Sequence, residues 1–334
     1  MNDKIIKARV IAEHRELYRV KSSYGEYLAR VTGKHMHKSG NREDFPAVGD
    51  FVIIEILDDD QAMIREVLPR KSLIRKRHGS SIQIVAANVD TAFIVESLNH
   101  DYNLNRLERY RVLCEEANIQ PVVVLNKTDL IFADELQEKI REVKSRLKDI
   151  EVIPASTTTA GGLAQIEQSI QSDMTYCFLG SSGVGKSTII NRLIGRESMR
   201  TGAIGEKTER GKHTTTHREM FFLENGGILI DNPGMREVGL ADFEKGIEKV
   251  FDDIPTLAKE CKFSDCTHIN EPDCAVLGAL RNGRLDRAQY ENYLSLRKEV
   301  DFYELEDHER REKDRKFGKM VKNVLKQKND LDRC

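Results

Sequence analysis

Asn126-Lys127-Thr128-Asp129 precedes Gly180-Ser181-Ser182-Gly183-Val184-Gly185-Lys186-Ser187 in this chain. The second stretch fits G-x-x-x-x-G-K-S, a glycine-rich loop that cradles phosphates between a strand and a helix. The first reads as a guanine-selecting motif, and Asp231-Asn232-Pro233-Gly234 adds a D-x-x-G element after both. In guanine-nucleotide-binding sheets the phosphate loop ordinarily leads and N-K-x-D trails. The reversed order predicts a circularly permuted α/β domain whose motifs still meet at the C-terminal ends of its strands.

The hydrophobic pattern supports that layer fold. From about Ile82 onward, apolar runs alternate with segments of helical spacing. Strands are expected at 90–95, 121–125, 151–154, 175–179 and 227–230, and helices at 105–117, 134–147, 162–172 and from 188. Each motif then follows a strand. Residues 1–70 differ. Short β-branched or alternating stretches at 8–11, 17–20, 26–31, 50–56 and 62–67 are separated by turn residues. Five such strands suit an OB-like barrel, and an SH3-like barrel is the competing topology. After about Leu240 the sheet pattern gives way to helices. The expected organisation is an OB-like barrel (1–70), a circularly permuted P-loop domain (71–240) and a zinc-binding helical domain with a basic tail (241–334).

The nucleotide chemistry follows from residue types. Gly180, Gly183 and Gly185 let backbone N–H groups wrap an anion. Ser181, Ser182 and Val184 complete the loop. Lys186 brings a positive charge for the β- and γ-phosphates, and Ser187 a hydroxyl for Mg2+ at a helix start that favours anions. Asp129 can accept from guanine N1–H and the exocyclic amine, donors that adenine lacks in that arrangement. Asn126 is expected to brace the loop, Lys127 to cover the base, and Thr128 to complete the motif. Ala155-Ser156 after the next strand fits a contact to the guanine oxygen. Asp231 can hold a metal-bound water, and Gly234 can donate its N–H to the γ-phosphate.

Gly211-Lys212-His213-Thr214-Thr215-Thr216-His217 lies between the phosphate loop and Asp231, where a switch segment belongs. Thr214 or Thr215 is expected to reach Mg2+ and the γ-phosphate. Met235 follows Gly234 where a water-orienting Gln often stands, so intrinsic hydrolysis should be slow unless another group positions water. His213 and His217 are the candidates by proton chemistry near neutral pH.

Composition narrows the setting. No apolar run approaches the ~20 residues of a membrane span, and the N-terminus has no secretory core, so a cytoplasmic location is expected. Net charge is −2, yet nine Lys/Arg lie between Arg310 and Lys328 against Glu312 and Asp314. A second basic cluster is Arg70, Lys71, Arg75, Lys76 and Arg77. Such clusters can neutralise phosphates, or can be solvated surface. Cys114 and Cys177 sit in apolar periodic segments and read as small core residues. Cys261, Cys266, His268 and Cys274 place three thiols and one imidazole within 14 residues. Four such ligands suit one structural, non-catalytic Zn2+.

With these motifs together, the chain resembles the RsgA (YjeQ/YloQ) family of circularly permuted bacterial GTPases. The resemblance rests on the order of 126–129 and 180–187, on 211–216, on 231–234 and on the Cys/Cys/His/Cys spacing, and spans nearly the whole chain. It implies GTP hydrolysis to GDP and phosphate, stimulated by the small ribosomal subunit late in its maturation. It also implies contact of the N-terminal domain with ribosomal RNA. A monomer is expected. Two other readings remain: a mainly non-catalytic, nucleotide-gated RNA-binding protein or divergent paralogue, which Met235 permits, and a P-loop ATPase or kinase, which Asp129 opposes.

Overall fold

The computed structural model describes residues 5–14, 17–32, 44–78, 81–195, 218–231 and 243–304. Five strands form a closed barrel: β1 (Ile5–His14), β2 (Leu17–Ser22), β3 (Gly25–Val31), β4 (Phe51–Ile56) and β5 (Gln61–Val67). Their order is β1-β2-β3-β5-β4, and β4 pairs back onto β1. The β3–β5 pair is parallel and the other four are antiparallel. That mixed order is the OB-like topology and excludes the SH3-like alternative. Val10, Tyr18, Val20, Ala29, Val52, Ile54 and Ile64 fill the barrel.

A bulge between Val10 and Ala12 lets β1 serve two sheets. Ile5–Arg9 pairs with β4, whereas Ala12 and Glu13 pair with the start of β12 (Arg218–Phe222). The barrel is thereby hydrogen-bonded into the edge of the central sheet. A hairpin, β6 (Leu73–His78) with β7 (Ser81–Ala87), lies beside the joint. Gly49 makes that approach feasible, because a Cβ there would fall 2.0 Å from Ala87 O.

The central sheet has the order β10-β9-β8-β11-β13-β12. It comprises β8 (Thr91–Ser97), β9 (Gln120–Asn126), β10 (Glu151–Pro154), β11 (Thr175–Leu179) and β13 (Ile228–Asp231), all parallel, with antiparallel β12 at the barrel side. Parallel strands need cover on both faces. Phe93, Val95, Val122 and Val124 face α3 (Ala164–Ser169) and α4 (Lys186–Ile194). Ile94, Val123, Leu125 and Leu179 face a second core that includes α1 (Leu104–Glu116), whose Leu107, Tyr110, Leu113, Cys114 and Ala117 point inward as the helical spacing predicts. Helix α2 (Ala133–Arg146) contributes Val143 to that core.

The C-terminal helices share the same core. They are α5 (Glu244–Val250), α6 (Asp253–Ala258), α7 (Ala275–Arg281) and α8 (Arg287–Glu304). Gly246 of α5 lies so close to α1 that a Cβ would come 2.4 Å from Val112 O. Its N–H donates to Glu116 at 2.9 Å.

Two expectations need correction. The helix expected at 162–172 is confined to Ala164–Ser169. Gly162 instead belongs to a loop, where its carbonyl accepts the Ser156 N–H at 3.0 Å. The basic cluster at 70–77 is also partly structural. Arg70 makes a bidentate pair with buried Asp50 at 2.7 and 2.8 Å, and Lys71 pairs with Asp90.

Candidate functional site

The phosphate-loop sequence joins β11 to α4, as the strand–loop–helix context requires. Gly180, Gly183 and Gly185 have φ of +139°, +82° and +104°. A side chain at Gly180 would meet Val95 O at 2.3 Å, and one at Gly185 would meet Asn126 Nδ2 at 2.2 Å. Lys186 folds over the loop and donates to the carbonyls of Gly180 and Ser181 at 2.6 and 2.5 Å. Ser187 is exposed in the first turn of α4.

Asn126 ends β9 and is fully buried. Its Nδ2 donates to Val184 O at 2.7 Å, and Lys127 Nζ donates to Gly183 O at 2.8 Å. The two motifs are therefore in direct contact across 56–58 residues of chain. Asn126 Oδ1 is buried and has no hydrogen-bond partner among the described residues. A buried acceptor of this kind costs ~1–3 kcal/mol until a donor reaches it, so the junction fits an added ligand.

The next strand shapes the far side. Thr128 N and Oγ1 both donate to Ala155 O at 3.1 Å. Ser156 Oγ donates to Asp129 Oδ1 at 2.6 Å, and that bond holds the exposed Asp129 carboxyl below its ordinary pKa. Asp129 thus stays an acceptor. Asp231 ends β13, one strand over from the phosphate loop. Burial pushes its carboxyl up, Lys186 opposes that rise, and Glu219 adds to it. A divalent cation there would relieve the same cost, since it favours the ionised form. His213, Thr214, Thr215, His217, Gly234 and Met235 lie outside the described residues.

The Cys/His cluster forms a second site. The ligand atoms of Cys261, Cys266, His268 and Cys274 all lie within 4.8 Å of one another. Cys261 and Cys274 sulfurs are 3.8 Å apart, and His268 Nδ1 is 3.7 and 3.6 Å from them. Zinc bonds of about 2.3 Å to sulfur and about 2.0–2.1 Å to nitrogen define a tetrahedron with S···S edges of about 3.8 Å and S···N edges of about 3.6 Å. The residues fit that metal, with Nδ1 as the imidazole ligand.

The profile of the RsgA GTPase family matches residues 67–241. The chain belongs to that family. It is 42% identical over 98% of its length to "Small ribosomal subunit biogenesis GTPase RsgA 2" of Vibrio parahaemolyticus, covering 88% of that protein. It is 40% identical over 96% of its length to "Small ribosomal subunit biogenesis GTPase RsgA 1" of Bacteroides thetaiotaomicron, covering 90% of it. The crystal structure of YjeQ from Thermotoga maritima superposes with a TM-score of 0.64 at 27% identity, covering 87% of this chain and 96% of that one. YloQ, described as a circularly permuted GTPase, shares the fold with a TM-score of 0.65 at 24% identity, over 90% and 97% of the two chains.

Several supporting residues of this RsgA-family chain escaped sequence reasoning. Glu271 accepts the N–H groups of Thr267, Ile269 and Asn270 at 2.9, 3.0 and 3.2 Å, shaping the loop that carries His268. Tyr290 donates to His268 O at 2.6 Å. Buried Glu108 of α1 accepts from Arg146 of α2 at 2.6 and 3.1 Å and from Asn292 of α8 at 2.5 Å. The Leu277 N–H donates to Cys274 Sγ at 3.4 Å at the start of α7. The long-range partners leave no local mark. Among the described residues, no helix is long and apolar enough to cross a membrane.

Proposed function

We propose that this GTPase acts in late maturation of the small ribosomal subunit, binding ribosomal RNA and coupling GTP hydrolysis to its own release. The observation that carries the reading is the contact of Asn126 and Lys127 with Val184 and Gly183. That contact supports a single ligand reaching from a guanine-selecting carboxylate to an anion cradle. The relatives' names supply the biological setting.

In this reading Asp129 pairs with the two guanine donors and Lys127 covers the base. Ser156 holds Asp129 ionised and Asn126 locks the two loops together. The 180–187 backbone wraps the phosphates. Lys186 leaves the Gly180 and Ser181 carbonyls to meet the β- and γ-phosphates. Ser187 and Asp231 would hold Mg2+, and the cation would neutralise charge on the phosphates when bound. Thr214 or Thr215 completes that shell, Gly234 senses the γ-phosphate, and His213 assists the attacking water. Cys261, Cys266, His268 and Cys274 hold one structural Zn2+. The barrel (1–70), the P-loop domain (71–240) and the zinc-binding helical domain (241–334) act as units of one cytoplasmic monomer.

The test is GTP hydrolysis titrated with purified small subunits. Wild type should accelerate with subunit concentration. Asp129→Asn should lose GTP by roughly 10³–10⁵-fold and gain xanthosine triphosphate, because its amide presents a donor where guanine also has one. Binding of GTP with no turnover at any subunit concentration would favour a non-catalytic, nucleotide-gated RNA-binding protein.

A further inference from the structure

A cavity of about 390 Å³ opens beside the base-selecting turn. Its walls are Leu98, Tyr102, Leu130 and Ile131, with Glu135 and Lys139 at the mouth. None of Asn126, Lys127, Asp129 or Ser156 lines it, so it is separate from the nucleotide site. Both walls are fixed. The 98–103 loop is held by Arg106, which pairs with buried Glu96 at 2.7 Å and also donates to Asp101 O. Glu96 further accepts the Asn103 N–H at 3.2 Å. The opposite wall follows the Thr128–Leu130 turn, pinned by Thr128 to Ala155 O. A pre-organised cavity of this size loses little ordering entropy when something enters it.

The surface around it is apolar at the centre and acidic at the edge. Leu130 is 58% exposed and Phe132 86%, large values for such side chains. Asp101, Asp134, Glu135 and Glu138 are all exposed around them. The positive groups are fewer. Lys139 is paired with Glu142 at 2.9 Å and sits 4.7 Å from the Tyr102 ring centroid, and Arg106 is paired with Glu96 and Asp101, which leaves Asp134, Glu135 and Glu138 as the acidic edge.

We propose that this patch docks a lysine- and arginine-rich polypeptide segment of the small subunit, one that places an apolar side chain in the cavity and cations against Asp134, Glu135 and Glu138. The inference rests on the functional reading above for its partner. Charge selects the occupant. The acidic edge repels an RNA backbone, and a second copy of the same patch would bring carboxylate against carboxylate. A cationic segment with an apolar anchor satisfies both parts, as central anchors ringed by polar contacts do elsewhere. Docking here would place a subunit protein next to base recognition.

The experiment puts photoreactive p-benzoylphenylalanine in place of Phe132 and irradiates the full chain with purified small subunits. Phe132→Asp is assayed in parallel. The expected results are a cross-link to a lysine- and arginine-rich segment of a subunit protein and at least tenfold more subunit for half-maximal stimulation by Phe132→Asp. Basal hydrolysis and fluorescent GDP binding should stay unchanged. A cross-link to RNA, to this chain itself or to nothing overturns the proposal, as does a Phe132→Asp chain with normal subunit response. Wild type unmoved by subunits refutes the functional reading, and this partner with it, whereas wild type stimulated equally to Phe132→Asp refutes the docking surface alone.

Discussion

A single methyl group at Gly185 tests how the two motifs are joined. The Gly185→Ala Cβ would sit 2.2 Å from Asn126 Nδ2, at a φ of +104°. Ordinary contact starts near 3.4 Å, so the amide must retreat by more than an ångström and lose its 2.7 Å bond to Val184 O. Asn126 is fully buried, and stranding that pair costs ~1–3 kcal/mol on top of ~1–3 kcal/mol of backbone strain. The expected total of ~3–5 kcal/mol weakens nucleotide binding roughly 10²–10⁴-fold. Gly183→Ala is the control. It has a φ of +82°, but nothing lies within 4 Å of its Cβ, so only ~1–2 kcal/mol of strain remains. Fluorescent GDP titration reads both. Asn126→Ala removes the clashing amide, so adding Gly185→Ala to it should cost ~1–3 kcal/mol less than in wild type. Equal losses for the two glycine variants, or strict additivity with Asn126→Ala, would refute the reasoning.

Two further outcomes follow from other parts of the molecule. Cys266→Ser should lose the bound zinc and lower the melting of the C-terminal helices, while GDP affinity stays within about twofold because the metal closes a loop remote from the phosphate cradle; full metal content with unchanged melting would contradict the site. Burial pushes Glu96 up from 4.5 to about 7, against the pull of Arg106. A raised carboxyl holds its proton more tightly when folded, so its contribution is complete below about 4.5 and lost as pH rises through about 7. Wild-type stability relative to Glu96→Gln should therefore fall by about 1–3 kcal/mol between about pH 5 and pH 8, and a pH-independent difference in thermal midpoint would count against the buried charge.

The residues that chemistry fixes were readable before any coordinates. Apolar strands delivered Asn126, Gly180 and Asp231, and all five barrel strands were expected within three residues of their ends. Hydrophobic period and turn chemistry are local signals, and these elements obey them. Other features are not local. Strand β6, Leu-Ile-Arg-Lys-Arg-His, reads as a charge cluster because its alternation is masked by cations. Its neighbour Arg70 reads as part of a phosphate-binding or solvated cluster until Asp50, twenty residues earlier, is seen to engage its Nε and Nη2. Short β12, Arg-Glu-Met-Phe-Phe, has no flanking pattern strong enough to announce it. Glu108, Arg146 and Asn292 sit on three helices, and their pairing across as many as 184 residues leaves no trace in spacing.

Those non-local contacts explain what the permutation does mechanically. Residues 196–217 lead directly into β12, whose first two residues pair with the barrel. Arg19 bridges to Glu219 there, Arg218 lies 3.6 Å from Glu13, and Arg218 also donates to Ile84 O at 2.8 Å. Residues 232–242 lead from Asp231 to α5, which is anchored on α1 by Gly246. Arg109 and Glu299 add a bidentate pair at 2.5 and 2.7 Å between α1 and α8. The segment before β12 therefore ends on a strand that pairs with both β13 and the barrel, and the segment after Asp231 ends on α5, which packs against α1. A macromolecule that grips barrel and helices together acts on both anchor points at once. To bias the nucleotide site it needs only to prefer one arrangement of those anchors over the other, and each ~1.4 kcal/mol of preference shifts the balance tenfold.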